Sequence, residues 1–255
     1  MRFAGGWIDV YTPRPLARVR LFCFPYAGGN AQVFREWANA LPAWVDVCPI
    51  QPPGRWSRHA EAPFTRVSPL VEAAVRALLP FVDRPYALFG HSFGALVAFE
   101  TAHHLARENG VPPTHLFVSG ADAPHLPSAA SPIRALPENE FVAVLCKRYG
   151  GIPQAVLDEP ALMEVLLPCL RADIEASETY QYCERQPLEC PITAYGGLLD
   201  DTTTQERIEA WSAHTRGPFS LQMIPGDHLF VVSAQERLLR CVREQLRMTA
   251  SCGSV

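Results

Sequence analysis

A serine in a glycine-flanked pentapeptide has surroundings that suit catalysis. Gly90-His91-Ser92-Phe93-Gly94 matches the pattern Gly-x-Ser-x-Gly. The apolar segment Tyr86–Phe89 precedes it, and a helical pattern begins at Ala95. In such a strand–turn–helix unit, a sharp turn projects the serine hydroxyl above a sheet, and the flanking glycines leave room for neighbouring backbone. The helix dipole also favours negative charge at this position. The pattern therefore predicts that Ser92 is the nucleophile of a serine hydrolase.

A serine hydroxyl needs a base to become a good nucleophile, and histidine is the usual one. His103 and His104 lie several turns along the predicted helix, too far away to touch the serine. His91 precedes the serine, and its side chain need not face the same way. His228 follows the last predicted strand and comes after Ser92, which is the chain order of nucleophile and base in α/β-hydrolases. His228 is therefore the predicted base.

The acid that orients the base should lie between these two residues, at the end of a strand. Asp200 is the first choice because it closely follows a predicted strand that ends at Tyr195. Its neighbour Asp201 could take the same place. Asp122 follows the strand after the nucleophile's helix and is a rival. Aspartates also cap turns and helices routinely, so these three alternatives stay open.

An oxyanion hole requires two backbone N–H groups that point at the developing negative charge. One should come from Phe93, the residue after the nucleophile. The other should come from a loop after an early strand, and Phe24–Gly29 fits because its two glycines let the backbone come close. Ala27 is the predicted donor in that loop.

Strands and helices alternate around these residues. Short apolar segments rich in β-forming residues predict strands buried on both faces. They are Val19–Phe24, Val45–Ile50, Tyr86–Phe89, Thr114–Ser119, Pro191–Tyr195 and Ser220–Ile224. Helical spacing of apolar residues predicts helices over Ala31–Leu41, Pro69–Val82, Ala95–Glu108 and Ala234–Arg247. The alternation predicts one α/β domain over residues 1–255, with a mostly parallel sheet and helices on both faces.

The segment from about residue 125 to 183 interrupts this alternation. It has no convincing strand, and helical patterns cover Glu138–Arg148, Pro160–Leu167 and Arg171–Tyr182. Helices inserted between two strands would cover the sheet edge, so we expect a lid, with possible hinges at Gly150-Gly151 and Pro153. Its apolar residues could line a pocket or simply pack the lid onto the body. These residues are Phe141, Val144, Leu145, Val156, Leu162, Val165, Leu166 and Leu170.

Composition argues against several classes of function. The 255 residues carry a formal net charge of -4, without the basic character of a nucleic-acid-binding protein. No apolar run approaches the roughly 18 residues of a membrane span, and the first residues lack the apolar core of a secretory signal. We therefore expect a cytoplasmic protein. The eight cysteines include no Cys-x-x-Cys pair, so we expect no metal site and no other cofactor.

Further stretches carry a family likeness that extends from about Val19 to Leu246. They are Phe24–Gly29 (FPYAGG), Pro52–Arg55 (PPGR), Arg148–Pro153 (RYGGIP), Leu170–Asp173 (LRAD), Tyr195–Gly197 (YGG) and Gly226–Phe230 (GDHLF). Together with the pentapeptide, these stretches resemble the type II thioesterases, the stand-alone editing enzymes of polyketide and non-ribosomal peptide synthases. Two positions depart from the pattern. Asp227 stands where the family has a second glycine, and Asp122 lies near where the related terminal thioesterase domains carry their acid.

The resemblance implies an α/β-hydrolase fold with a helical lid over a hydrophobic acyl chamber. It also implies a monomeric, cofactor-independent enzyme that removes acyl groups from the phosphopantetheine arm of acyl or peptidyl carrier proteins through an acyl-serine intermediate. The roles that it implies are nucleophile Ser92, acid Asp200, base His228 and oxyanion donors Ala27 and Phe93.

Alternatives to this function are a general carboxylesterase, an acyltransferase or cyclase, and a non-catalytic binding partner. The complete serine, aspartate and histidine set argues against the last. Carrier proteins are typically acidic, so we also expect exposed arginines to guide docking. The candidates are Arg55, Arg58, Arg148 and Arg171.

Overall fold

A six-stranded parallel sheet forms the centre of the fold in the computed structural model, which describes residues 2–150, 152 and 154–252. An antiparallel hairpin precedes the sheet. The strands are β1 (Arg2–Phe3), β2 (Ile8–Asp9), β3 (Val19–Phe24), β4 (Val45–Pro49), β5 (Tyr86–His91), β6 (His115–Ser119), β7 (Ile192–Gly197) and β8 (Phe219–Ile224). The sheet order is β4-β3-β5-β6-β7-β8, and each neighbouring pair is parallel. The predicted parallel sheet is therefore confirmed.

Helices connect these strands. They are α1 (Trp37–Ala40), α2 (Val67–Leu78), α3 (Phe93–Asn109), α4 (Glu138–Tyr149), α5 (Gln154–Leu157), α6 (Pro160–Glu178), α7 (Gln205–Glu209), α8 (Phe230–Ser233) and α9 (Gln235–Cys252). Helix α3 ends at Asn109 and is followed by Gly110, whose φ of 68° is the left-handed conformation that often follows a helix. None of the described helices is both long enough and apolar enough to span a membrane.

Two layers of core flank the sheet because successive strand residues point to opposite faces. On one face, Phe22 and Leu88 are buried in a cluster that includes Phe99 and other residues of α2 and α3. On the other face, Phe89 is buried with Trp37 of α1 and apolar residues of α9. Burial on both sides explains the continuous apolar character of the central strands. The predicted helices on both faces are confirmed.

The chain between β6 and β7 carries α4, α5 and α6, which together form the helical insertion (residues 138–178). Its apolar residues form a cluster of their own that includes Phe141, Leu145 and Leu170. Ala27, from the loop after β3, packs against this cluster. No strand lies in the described part of residues 125–183. Of the suggested hinge residues, Gly151 and Pro153 lie outside the described residues.

Two helix predictions differ from the structure. The predicted helix Ala31–Leu41 is a 3₁₀ turn over Ala31–Phe34 followed by the short α1. The predicted break at Pro168 is wrong, because α6 is one helix from residue 160 to 178. A proline inside a helix removes one backbone hydrogen bond, here to the carbonyl of Glu164. Pro168 and Glu164 both lie on the exposed side of α6, where water can satisfy that carbonyl.

The aromatic packing around Phe89 predicts a large loss of stability on truncation. Its ring centroid lies 4.7 Å from that of Trp37 and 5.9 Å from that of Phe34, and the residue is 0% exposed. We expect Phe89→Ala to lower the free energy of unfolding by about 3–5 kcal/mol, measured by urea denaturation. Leu16→Ala, at a residue that is 94% exposed, is the control. Equal stability of the two variants would contradict the assignment of Phe89 to the core.

Candidate active site

Ser92 lies in a strained turn between β5 and α3. Its φ of 54° and ψ of -122° lie outside the regions that L-residues usually occupy. A Cβ on Gly90 would lie 2.1 Å from the carbonyl oxygen of Gly94, and one on Gly94 would lie 2.4 Å from that of Phe24. The turn can close because both positions are glycine. The Ser92 N–H donates to the carbonyl of Ser119 over 2.7 Å and anchors the turn to β6. The geometry is that of a turn that projects a serine hydroxyl above the sheet.

The side chains of Ser92, His228 and Asp200 meet at the carboxyl edge of the sheet, after β5, β8 and β7. The Nε2 atom of His228 lies 3.0 Å from Ser92 Oγ, and its Nδ1 atom lies 2.8 Å from Asp200 Oδ2. Parallel strands end at the same edge, which brings residues from three distant segments into contact. When Nδ1–H donates to Asp200, Nε2 is free to accept a proton from the serine. The three side chains can therefore work as nucleophile, base and acid.

Asp200 is held as a buried carboxylate. Its Oδ1 accepts the backbone N–H of Thr202 over 2.9 Å and the Thr202 hydroxyl over 2.6 Å. Burial opposes ionisation, but hydrogen bonds from His228 and Thr202 outweigh it and hold the pKa of Asp200 below its ordinary value. The Thr202 hydroxyl also lies 3.0 Å from His228 Nδ1. Sequence reasoning missed Thr202, although an aspartate side chain commonly accepts the backbone N–H of the second residue after it, as in an Asx turn.

Of the three candidate acids, the structure brings Asp200 to His228. Asp122 instead pairs with Arg207, whose Nε lies 2.7 Å from its Oδ2, and it accepts a hydrogen bond from Thr203. Asp201 is solvent-exposed. Asp122 is therefore engaged by Arg207 and Thr203, and Asp201 faces solvent.

His91 is a buried neighbour of the base that sequence reasoning set aside. Its Nε2 lies 2.8 Å from the carbonyl oxygen of His228, and its Nδ1 lies 2.9 Å from Ser119 Oγ. A carbonyl can only accept, so Nε2 carries the proton and Nδ1 accepts the serine hydroxyl. Burial, with a contribution from His228, lowers the pKa of His91 to about 3 and keeps it neutral. His91 thus links β5 and β6 to the loop that carries the base.

The two predicted oxyanion donors lie beside Ser92 in the wall of one cavity. Ala27 is the second residue of a turn in which the Gly29 N–H donates to the Tyr26 carbonyl over 2.8 Å. Phe93 is the first residue of α3, where backbone N–H groups have no partner within the helix. Within residues 2–150, 152 and 154–252, neither the Ala27 nor the Phe93 N–H donates to another protein group. Both groups are therefore available to a ligand.

The cavity has a volume of about 540 Å³ and opens onto Ser92 and His228. Apolar residues of the helical insertion form one wall: Leu145, Ile152, Leu166, Leu170 and Ile174. Polar side chains from outside the insertion also line the cavity: Asn30, Gln32, Glu36 and Gln235. No group of three or more His, Cys, Asp or Glu side chains that could hold a metal ion occurs in the part of the chain that the structure describes. The lining suits a long molecule with an apolar end and a polar end.

Three of the apolar residues predicted for the pocket line it: Leu145, Leu166 and Leu170. The others do not. Phe141 is buried in the cluster of the helical insertion, which Val144 and Val156 join. Leu162 and Val165 are about half exposed on the outside of α6. Helical periodicity identifies an apolar face, but it does not say whether that face meets a cavity or another helix.

Comparison with known proteins identifies the family. Residues 19–246 match the family described as "Thioesterase domain". The chain belongs to the thioesterase family. It is 42% identical over 242 residues to the gramicidin S biosynthesis protein GrsT of Aneurinibacillus migulanus, across 95% of this chain and 94% of GrsT. The predicted likeness to thioesterases of peptide and polyketide pathways is confirmed.

Solved structures agree with this assignment. The RedJ thioesterase of the prodiginine pathway in Streptomyces coelicolor matches with a TM-score of 0.85 and 40% identity, across 91% of this chain and 88% of RedJ. The type II thioesterase BorB of the borrelidin cluster matches with a TM-score of 0.87 and 36% identity, across 96% of this chain and 99% of BorB. These matches confirm the predicted α/β-hydrolase fold and the resemblance to type II thioesterases.

The arginines that we expected on the surface of this thioesterase are partly buried in it. Arg55 is 5% exposed and Arg58 is 8% exposed, so the expectation that they are free for docking is wrong. Arg55 pairs with Asp173, and Arg58 donates to Glu61 and to the carbonyl of Gln51. The sequence around Arg55 gives no sign of Asp173, which lies 118 residues further along the chain, whereas the partner of Arg58 is only three residues away.

The buried His91 makes the stability of the thioesterase depend on acidity. An unfolded histidine titrates near pH 6.5, whereas folded His91 has a pKa of about 3. Between these values the unfolded chain binds a proton that the folded protein does not, so the free energy of unfolding falls as the pH drops. This residue contributes a slope of up to about 1.4 kcal/mol per pH unit.

We therefore expect His91→Gln to make the dependence of unfolding free energy on pH shallower between about pH 6 and pH 4, measured by urea denaturation. The same substitution at the exposed His59 is the matched control. Parallel profiles for His91→Gln and the unaltered protein would contradict this account of the buried ring.

Proposed function

We propose that this thioesterase hydrolyses acyl thioesters on the phosphopantetheine arm of acyl or peptidyl carrier proteins, in the cytoplasm, as an editing enzyme of a polyketide or non-ribosomal peptide assembly line. The observation that carries the proposal is the chain of contacts from Asp200 through His228 to Ser92, which opens onto an apolar cavity. Relatives named for the gramicidin S, prodiginine and borrelidin pathways support the assembly-line setting.

The proposed reaction has two steps. Ser92 Oγ attacks the thioester carbonyl while His228 Nε2 takes the hydroxyl proton, and the Ala27 and Phe93 N–H groups bind the oxyanion. Collapse of the tetrahedral intermediate breaks the carbon–sulfur bond, and the pantetheine sulfur leaves with the proton from His228. A thiol has an ordinary pKa of about 8.5, so it is a good leaving group. Water, deprotonated by His228, then attacks the acyl-Ser92 ester. The acyl–oxygen bond breaks, His228 returns the proton to Ser92 Oγ, and the free acid leaves.

We further propose that residues 125–183 act as a lid on a single domain, and that the apolar wall holds the acyl chain. The apolar wall is supplied by α4, by Ile152 shortly after it and by α6, while Asn30, Gln32, Glu36 and Gln235 come from the body of the protein. An acyl chain is apolar and a pantetheine arm carries two amides, so the apolar and polar walls suit the two halves of the substrate.

Intact-mass spectrometry of carrier proteins loaded with a panel of acyl groups tests the proposal directly. Release of free acid and return of the carrier to its thiol form is expected. Transfer of the acyl group to an added amine or alcohol would favour an acyltransferase, and equal turnover of simple esters and carrier thioesters would favour a general esterase.

The roles of the three contacting side chains predict a graded loss of activity. We expect Ser92→Ala or His228→Ala to lower kcat by about 10⁵-fold or more, and Asp200→Asn by a smaller factor of about 10⁴. Single-turnover hydrolysis of an acyl carrier protein is the measurement. Asp122→Asn and Asp201→Asn are the matched controls and should keep nearly full activity. A loss in Asp122→Asn as large as that in Asp200→Asn would reassign the acid.

The apolar wall predicts selectivity for chain length. Leu145 is 5% exposed and lines the cavity, so Leu145→Trp should shorten the acyl site. We expect kcat/KM for octanoyl carrier protein to fall about tenfold more than kcat/KM for acetyl carrier protein. The reason is that each methylene that can no longer be buried in the cavity loses about 0.8 kcal/mol of favourable transfer free energy. Leu162→Trp, at a half-exposed position on α6, is the control. An equal effect on both acyl groups would place the acyl chain elsewhere.

A further inference from the structure

Two of the family-like stretches, Pro52–Arg55 and Leu170–Asp173, meet in a buried ion pair outside the triad. Arg55 Nη2 lies 2.8 Å from Asp173 Oδ1, and Arg55 Nη1 donates to Asp173 Oδ2, so the contact is bidentate. The two side chains are 6% and 3% exposed. Burial disfavours the charged guanidinium, but Asp173 outweighs this effect and raises the pKa of Arg55. The guanidinium of Arg55 therefore stays charged inside the protein.

Both members of the ion pair form hydrogen bonds with the backbone of the turn that carries Ala27. Asp173 Oδ2 accepts the backbone N–H of Gly28 over 2.8 Å, and Arg55 Nη1 donates to the carbonyl of Gly29 over 3.3 Å. Gly28 has a φ of 73°, the left-handed value expected for the third residue of a type II turn. A Cβ on Gly28 would lie 2.9 Å from the side chain of Leu170, so α6 also packs tightly against the turn.

The contact with Gly28 selects one orientation of the turn. Type I and type II turns differ by a flip of the central peptide, which here joins Ala27 to Gly28. A carboxylate that accepts the Gly28 N–H stabilises the observed orientation, because the flipped peptide would present a carbonyl oxygen to the negative charge. The Ala27 N–H belongs to the preceding peptide, which keeps its direction in either turn type. The contact therefore acts on Ala27 by fixing the position of the whole turn against α6.

A buried ion pair contributes little net stability by itself. Two buried charges lose their hydration, and apolar residues of similar size are often as stabilising in their place. The Arg20–Asp46 pair, with both side chains 9% exposed, lies in the second positions of β3 and β4, at the opposite edge of the sheet from Ser92. It serves as a matched comparison.

We propose that the Arg55–Asp173 pair is a positioning device for the oxyanion hole: Asp173, on the helical insertion, sets the turn so that the Ala27 N–H faces the developing oxyanion. Arg55 and Asp173 act through the turn and do not touch the reacting atoms. The inference rests on the proposed function. It also ties the helical insertion to the reaction centre, because one carboxylate on α6 holds the turn after β3.

Two inhibitors separate this role from a purely structural one. Octyl trifluoromethyl ketone accepts Ser92 at its carbonyl and forms a hemiketal whose oxyanion needs the hole. The S-octyl thioether of pantetheine fills the same cavity but cannot be attacked. The test compares Arg55→Met/Asp173→Leu, which leaves no acceptor for the Gly28 N–H, with Arg55→Met/Asp173→Asn, which keeps an oxygen acceptor. Neither variant leaves an unpaired buried charge.

For the leucine variant we expect the Kd of the ketone to rise about 100-fold, kcat to fall in parallel, and the Kd of the thioether and the KM to change by less than about threefold. The asparagine variant should recover part of the loss, to about tenfold. Arg20→Met/Asp46→Leu should leave the ratio of ketone to thioether affinity unchanged. Thermal melting monitors the fold of each variant.

Ketone and thioether affinities that change together, or an unchanged ketone affinity in a folded leucine variant, would overturn the proposal. Should the double variants lack a cooperative melting transition, the same affinity ratio in Asp173→Glu decides, because this variant keeps the negative charge beside Arg55 but shifts the acceptor of the Gly28 N–H; an unchanged ratio overturns the proposal. Failure of the unaltered protein to bind the ketone and to hydrolyse acyl carrier thioesters would overturn the proposed function itself, which is a distinct result.

Discussion

The close backbone approach at the Ser92 turn is the constraint on which the rest of the site depends. A positive φ at a serine costs about 1–3 kcal/mol and persists only where surrounding structure enforces it. The enforcement here comes from β3 and β6, which flank β5 on both sides. The carbonyl of Phe24 on β3 lies against Gly94, and the carbonyl of Ser119 on β6 binds the Ser92 N–H.

Because β3 lies next to β5, the same close approach brings the loop after β3 to the serine. That loop carries Ala27, so the proposed nucleophile and one proposed oxyanion donor are placed by one strand pairing. His91, at the end of β5, binds the backbone carbonyl of His228. The Ser92 turn thus contacts both the loop that carries Ala27 and the loop that carries His228.

The sequence predicted the parts of the fold whose causes are local. Apolar strand segments, glycine-flanked Ser92 and the chain order of Asp200 and His228 all depend on short patterns, and the structure brings those three side chains into contact. Sequence reasoning did not predict the long-range contacts of residues outside the catalytic motifs, because no local pattern records them. The continuity of α6 through Pro168 depended on which side of the helix faces solvent, and the burial of Arg55 depended on a carboxylate 118 residues away.

The wall of the cavity and the core of the helical insertion share residues. Leu145, Ile152 and Leu170 belong to both, so the same side chains form the core of the helical insertion and the wall of the cavity. An acyl chain held there would add its methylenes to that interior, at about 0.8 kcal/mol for each one buried. Binding of an acyl chain and stability of the helical insertion would then be thermodynamically linked. The insertion would be most stable when its cavity holds an acyl chain, because that chain would form part of its core.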